Sequence, residues 1–215
     1  MLRHFPYLLL LACMTGCSGL TVAPGPSGAS DDAASISATS EGPYVESAGE
    51  VSGRARQRFD SATAAMAAGD WAAARAHFEW LVETYPALSG PYLNLALLDA
   101  AEGNTAGAEA WFQAALEANG TNLEAYNQYA IFLRRAGRFE EAETVYLAAL
   151  DVWEAHPGTH RNLGVLYDLY RGDGERALQH YYRYQVLTGE TDRTVAGWII
   201  DLERRYGQVV QVGGQ

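Results

Sequence analysis

The 215-residue chain contains no lysine. Its 15 basic residues are all arginine, 26 residues are acidic, and the formal net charge is −11. A broad nucleic-acid surface needs clustered positive charge to displace counterions from phosphate, so no nucleic-acid partner is expected. The body of the protein likewise has no electrostatic reason to cling to anionic lipid. Cysteine is almost absent: Cys13 and Cys17 are the only two. This excludes a disulfide framework or a cysteine-built metal centre in the remainder of the chain. No long hydrophobic run exists either, because the apolar stretch from Phe5 through Cys13 is shorter than the about 20 residues that a membrane-spanning helix needs.

Catalytic signatures are missing too. The chain has no HExxH, no GxSxG, no Gly-rich phosphate loop, and no evident set of nucleophile, base and orienting group. An enzyme is therefore not expected, and neither is a cofactor or metal. His156 and His160 are four residues apart, but Pro157 and Gly158 between them point to a turn, not to two ligands on one helical face. Arg171-Gly172-Asp173 matches a cell-adhesion tripeptide, yet it falls where the chain must turn.

What is present begins with an export pattern. Arg3 supplies the charged start and Phe5 to Cys13 the apolar core of a secretory signal. The four residues Met14-Thr15-Gly16-Cys17 resemble the lipobox of bacterial lipoproteins, with methionine where leucine is more usual. The resemblance implies cleavage after residue 16 and a lipid on Cys17, which is the expected membrane attachment. The plainer alternative is an ordinary cleaved signal that leaves Cys17 as a free thiol. Cys13 lies inside the apolar core and is expected to leave with the signal. Residues 17–52 are rich in Ser, Gly, Ala and Pro, with Tyr44 their single aromatic. Such a composition buries too little apolar surface to offset chain entropy, so a flexible, lipid-anchored linker is expected there.

Beyond it the sequence repeats. Ala62, Ala96, Ala130 and Gly164 follow one another at intervals of 34 residues. In the same frame a small residue is followed four positions later by an aromatic: Ala74 and Phe78, Ala108 and Phe112, Ala142 and Tyr146, Ala177 and Tyr181. Gly69, Gly103 and Gly137 mark a turn inside each unit, and Pro86 closes the first. The last unit carries one extra residue, expected within Arg171-Gly-Asp-Gly174. This pattern resembles the tetratricopeptide repeat, over units of about 55–88, 89–122, 123–156 and 157–191 within a domain spanning 53–191.

The resemblance implies an all-α solenoid of about four helix-turn-helix repeats. The small residue of each first (A) helix lets the second (B) helix approach closely, and the B-helix aromatic fills the space beside it. Residues 192–206 supply a capping helix, with Val195, Trp198, Ile199 and Leu202 at helical spacing, and 207–215 read as a flexible tail. Tyr167 and Tyr181 are expected to pack, and Tyr170 and Tyr182 to be exposed. In the first unit Arg58 and Ser61 stand where an aromatic and a leucine are usual, so its A helix is expected to lean on the linker or on a partner.

Function in such a scaffold lies in the concave face lined by A helices. The positions that line it are Arg56, Phe59, Thr63 and Met66, then Leu93 and Leu97, then Asn127, Ile131, Arg134 and Arg135, then Arg161, Val165 and Asp168. They give an apolar floor at one end and an arginine group at the other, suited to a segment with apolar side chains and a carboxylate. The competing reading pairs these arginines locally with Glu124, Glu140 or Glu141. The lysine and asparagine pattern with which some tetratricopeptide domains clamp chaperone C-termini is absent, since Phe59, Thr63, Glu124 and Gln128 occupy those places. The combined resemblances imply a non-catalytic lipoprotein adaptor for envelope assembly, held at the periplasmic face of the outer membrane of a Gram-negative bacterium. Pilotins and outer-membrane assembly components are similar proteins. A TonB/ExbB-type energy-transduction adaptor and a structural homo-oligomer are the alternatives.

Overall fold

Capping side chains and turn glycines divide the chain into helix pairs. A computed structural model describes residues 51–212. The signal over 1–16, the anchor Cys17 and nearly all of the 17–52 linker lie outside the described residues. The helices are α1 (Gly53–Ala67), α2 (Trp71–Thr84), α3 (Ser89–Glu102), α4 (Thr105–Ala118), α5 (Leu123–Arg135), α6 (Phe139–Val152), α7 (Pro157–Leu166), α8 (Gly174–Thr188) and α9 (Arg193–Val212). No strand is found among the described residues. Ser52, Asp70, Asn104, Asn122, His156 and Asp173 each accept a backbone N–H of the following first turn, satisfying donors that the helix leaves free. Between the A and B helices of each unit sits a glycine with positive φ: 77° at Gly69, 82° at Gly103, 77° at Gly137 and 64° at Gly172. Any other residue would be strained in that left-handed turn.

Packing follows the small-aromatic pairs. Ala62, Ala96 and Ala130 are fully buried, Gly164 is buried with them, and Phe78, Phe112, Tyr146 and Tyr181 are at most 1% exposed. The crossing at Gly164 is so close that an added Cβ would overlap the Tyr181 ring. Consecutive A helices touch along the array, α3 against α5 and α5 against α7, forming one continuous face. Salt bridges tie successive units together elsewhere. Arg75 reaches Asp99 at 2.5 Å, Arg138 reaches Glu109 at 2.6 Å, and Arg176 reaches Glu143 at 2.9 Å.

Three expectations change at this level. The extra residue of the last unit is absorbed before the Arg171 loop, as a π turn over Tyr167–Arg171 that extends α7 and is closed by a bond from the Asp173 N–H to the Tyr167 carbonyl. A helix can take one additional residue as a π bulge without disturbing the glycine turn that follows, so Gly172 keeps the place of Gly137. The His156–His160 stretch is a helix start, not a turn. His156 is the N-cap, Pro157 takes the first helical position where its missing N–H costs nothing, and His160 lies in α7. The tail expected at 207–215 is helical as far as Val212. Gly207 alone is a weak breaker, worth about 1 kcal/mol. The first A helix leans on the end of the linker, where Val51 packs with the first-repeat core and Ser52 caps the helix and donates to the Tyr85 hydroxyl at 3.1 Å, and it has support within the repeat as well. Arg54 and Arg58 lie over the Trp80 ring at 4.9 and 4.8 Å, and Phe59 packs edge-on against Phe78 at 5.5 Å.

The end of the array is closed by α9, in which Val195 and Leu202 are fully buried, Ile199 is nearly so and Trp198 is half-buried against Tyr181. Tyr167 is buried, while Tyr170 and Tyr182 are exposed. No helix among the described residues is long and apolar enough to cross a membrane.

Candidate groove on the A-helix face

The residues projected onto the A-helix face separate into three groups. Leu93 and Asn127 are not surface residues: they are 7% and 4% exposed. Leu93 belongs to the main apolar core. Asn127 Nδ2 donates to the Leu123 carbonyl at 2.9 Å and to Thr159 Oγ1 at 2.8 Å, and its Oδ1 accepts from Asn162 at 2.9 Å. A buried amide whose two N–H donors are both used, and whose partners Thr159 and Asn162 belong to the next repeat, is a structural link between units. The Asn122 amide makes a comparable link, donating to Ser89 Oγ at 2.7 Å.

The apolar group divides between two depressions. Leu97 and Ile131 line one of about 250 Å³ with Phe132, Gln128 and Arg135. Phe59 and Arg56 line another of about 220 Å³ with Val51, Leu88 and Pro91. Met66 and Val165 are half-buried, Met66 packed with the first-repeat core and Val165 with the larger one. Thr63 Oγ1 turns back to donate to the Asp60 carbonyl, so it offers little outward.

The arginine group makes no ion pair, a state it shares with Arg54, Arg56, Arg58, Arg183 and Arg193 among the described residues. The local ion pairs expected as the competing reading do not form. Glu140 and Glu141 are taken by Arg171 and Arg138, and Glu124 accepts from Gln128 at 2.7 Å. Among the described residues Arg134, Arg135 and Arg161 have no carboxylate within salt-bridge distance, whereas Arg75, Arg138, Arg171, Arg176, Arg204 and Arg205 each do. Aromatic faces hold two of the three instead: the Arg134 guanidinium lies 5.3 Å from the Tyr170 ring centre and that of Arg161 lies 5.2 Å from Trp198. Asp168, also projected onto this face, is engaged by Arg205 of α9 at 3.0 Å.

Sequence reasoning missed what holds these arginines. Tyr170 was legible only as an exposed residue, and Trp198 only as cap packing. It also missed a histidine pair. His160 and His180 sit with their Nδ1 atoms 3.0 Å apart, and His160 Nε2 contacts the Glu154 carbonyl at 2.8 Å. Burial pushes both histidines down, His180 to about 4. No group of three or more His, Cys, Asp or Glu among the described residues is placed to hold a metal ion. Nearby phenols are raised: burial pushes Tyr146 up to about 12 and moves Tyr181 further in the same direction.

Comparison with known proteins identifies the architecture. Two models described as "Tetratricopeptide repeat" match residues 59–122 and 121–184. A search of curated proteins gives no significant match. Among solved structures the chain is similar to pilF of Pseudomonas aeruginosa, with 20% identity over 73% of this chain and 70% of that one at a TM-score of 0.62. It is also similar to MamA of Desulfovibrio magneticus RS-1, at 15% identity over 73% and 87% with a TM-score of 0.58. A repeat protein of Parabacteroides merdae matches at 18% identity over 72% and 60% with a TM-score of 0.60. At these identities the likeness is one of fold.

Proposed function

The chain belongs to the tetratricopeptide repeat family, and from that premise we propose that it is a non-catalytic scaffold that binds an envelope protein on its A-helix face while a lipid on Cys17 holds it at the periplasmic side of the outer membrane. Repeat arrays of this kind offer an extended surface on which another polypeptide is laid, and packing accounts for their small and aromatic residues. The observation that carries the reading is the apolar depression in which Arg135 lies with Leu97 and Ile131, while Arg134 and Arg161, on the A helices α5 and α7, are stacked on Tyr170 and Trp198 with no carboxylate in salt-bridge distance. Unpaired cations next to an apolar floor form a surface with unmet capacity for both charge and burial. The Met14–Cys17 motif supports the anchor, and a linker of about 35 residues gives a random-coil reach of roughly 30 Å from the membrane. Assembly of an envelope complex, as pilotin-like lipoproteins perform, is the role that fits an anchored and tethered binding domain.

The test is cross-linking and affinity purification of the full-length protein from its native membranes, with mass spectrometry, beside the triple variant Arg134→Ala, Arg135→Ala, Arg161→Ala. Recovery of one envelope protein by the wild type and its loss with the variant supports the groove. An unchanged recovery moves the binding site elsewhere. A second reading, self-association, draws on Val186 and Ile200, each 64% exposed near the C-terminal cap. Light scattering that shows only monomer over a wide concentration range sinks it.

A further inference from the structure

Between the last two helices lies a surface depression of about 360 Å³ that shares no residue with the A-helix face. It is lined by Tyr182 and Gln185 of α8, by Glu190 of the turn that follows, and by Ala196, Ile200 and Glu203 of α9. Gln185 is 7% exposed. Its Nε2 donates to the Asp192 carbonyl at 3.1 Å, which fixes the orientation of the amide, and its Oε1 is shielded from solvent and has no hydrogen-bond partner. Buried acceptors are seldom left without a donor. Water does not reach this oxygen, and the depression that Gln185 lines is where a donor can enter.

The remaining polar groups of the depression are acceptors as well. Tyr182 is the exception, and its hydroxyl is spent on Glu203. The Glu190 carboxylate has no ion-pair or hydrogen-bond partner among the described residues. No basic residue lines the depression. The arginines at this end of α9 are held elsewhere, Arg204 by Asp201 and Arg205 by Asp168 and Asp201. Two carboxylates therefore stand over an apolar wall of Ala196 and Ile200 with no cation of the chain to neutralise them. Glu190 also has φ 59°, and among the described residues it is the only one other than glycine in the left-handed region. Glycine would take that turn with less strain, so the carboxylate is kept at the rim against a backbone preference.

We infer that this depression binds a lysine side chain of a partner polypeptide, with Glu190, Glu203 and Gln185 Oε1 receiving the ammonium group while the methylene stem lies on Ala196 and Ile200. An ammonium has three N–H donors and no acceptor, which matches a site of three acceptors. The five donors of a guanidinium are set in a rigid plane, and this site leaves part of them unmet. A long methylene stem finds its place on the apolar wall. Val186 and Ile200, each 64% exposed beside the depression, offer apolar side chains that flank the lysine a surface to cover. The occupant belongs to another protein, because this chain contains no lysine for a second copy to supply. A formal net charge of −11 also sets two copies against each other and attracts a basic partner. The site goes beyond the A-helix face and does not depend on it.

The test uses the full-length chain in detergent micelles and fluorescent peptides, N-acetylated and C-amidated, with Leu and Val on either side of one central residue. That residue is lysine, Nε-acetyllysine or arginine, and binding is read by fluorescence anisotropy. Lysine is expected to bind about tenfold more tightly than Nε-acetyllysine, the size of one charge-assisted hydrogen bond, and more tightly than arginine. Gln185→Leu and Glu203→Gln each reduce that preference. Glu190→Gly relieves the left-handed turn, so it reduces the preference without lowering the melting temperature, an outcome that a merely structural role for Glu190 does not give. Ile131→Ser, which removes part of the apolar floor on the A-helix face, leaves the preference unchanged. Its loss in that variant puts the peptide on the A-helix face and overturns the lysine site while the groove stands. Equal binding of lysine and Nε-acetyllysine, or binding of neither, overturns the site. Arginine binding as tightly as lysine overturns the assignment to an ammonium. A lysine peptide that is displaced as protein concentration rises, with dimers in light scattering, gives the surface to a second copy and overturns the proposal as well.

Discussion

Acidification from pH 7 to pH 5 is expected to loosen the fourth repeat through His180. This side chain packs between α7 and α8, stacked on Tyr167 with ring centres 5.5 Å apart and bonded to His160 at 3.0 Å. Because His160 Nε2 donates to the Glu154 carbonyl, its Nδ1 is the acceptor and His180 Nδ1 carries the shared proton. A proton added to His160 Nδ1 removes that bond, and a proton on either ring places a charge beside Arg176 or Arg183. Burial first, then His160, then Arg176 lower His180 from 6.5 to about 4. Between those values the unfolded chain binds a proton that the folded chain refuses. Stability is therefore full above pH 6.5 and declines as pH falls toward 4.

Linkage at about 1.4 kcal/mol per pH unit gives a loss of about 2 kcal/mol between pH 7 and pH 5, and partial solvent contact of the ring reduces this to about 1 kcal/mol. The window isolates the histidines, because the carboxylates held low by partners, Glu109, Glu141, Asp173 and Asp192, remain ionised throughout it. Repeat arrays unfold unit by unit, so the assay is amide hydrogen exchange of α7 and α8 at pH 7, 6 and 5, corrected for intrinsic exchange, in wild type and in His180→Gln. Opening of α7 and α8 that becomes easier in the wild type and less so in the variant is the expected result. Protection independent of pH, or the same slope in both proteins, refutes the reasoning.

Gly164→Ala places a methyl group inside the Tyr181 ring at a crossing with no free volume, and a loss of about 2–3 kcal/mol is expected in thermal or urea denaturation; unchanged stability means the helices do not cross that closely. Asn127→Ala removes the link to Thr159 and Asn162 and is expected to cost about 1–3 kcal/mol. It leaves partner recovery by the folded protein unchanged, and a selective binding loss at full stability returns Asn127 to the groove. Cys17→Ser is expected to shift the protein from the membrane to the soluble fraction after cell disruption, and continued sedimentation with membranes refutes lipid attachment.

Small-aromatic pairs and turn glycines were legible because they answer constraints confined to one repeat. Ala130 with Tyr146 and Gly137 between them occupy fixed offsets, so spacing alone reveals them. Asn127 and Leu93 were misplaced because a helical projection gives direction but not depth. Asn127 is drawn inward by Thr159, a residue of the following repeat. The extra residue of the fourth unit could be counted from the spacing, but α-helix, π bulge and loop insertion give the same count. Arginine pairing was the least legible feature. Arg134, Arg135 and Arg138 lie within one turn of each other, yet only Arg138 reaches Glu109 and Glu141, because the helix ends at Arg135 and redirects the chain.

The overall acidity and the unpaired arginines produce opposing effects on the two steps of binding. At formal net charge −11 the body repels an acidic partner at distances within the Debye length of about 10 Å at 0.1 M salt, so encounter is slowed at low ionic strength. Once a carboxylate reaches the arginines of the A-helix face, the interaction is local and attractive, and it acts on the lifetime of the complex. Raising salt is therefore expected to increase the association rate and the dissociation rate together, leaving the equilibrium affinity less salt-dependent than either. Stopped-flow measurement with a fluorescent Glu-centred peptide over a salt series separates the two rates. An association rate that falls with salt would mean that the positive A-helix face governs the long-range field, and that the acidity of the body is turned away from the groove.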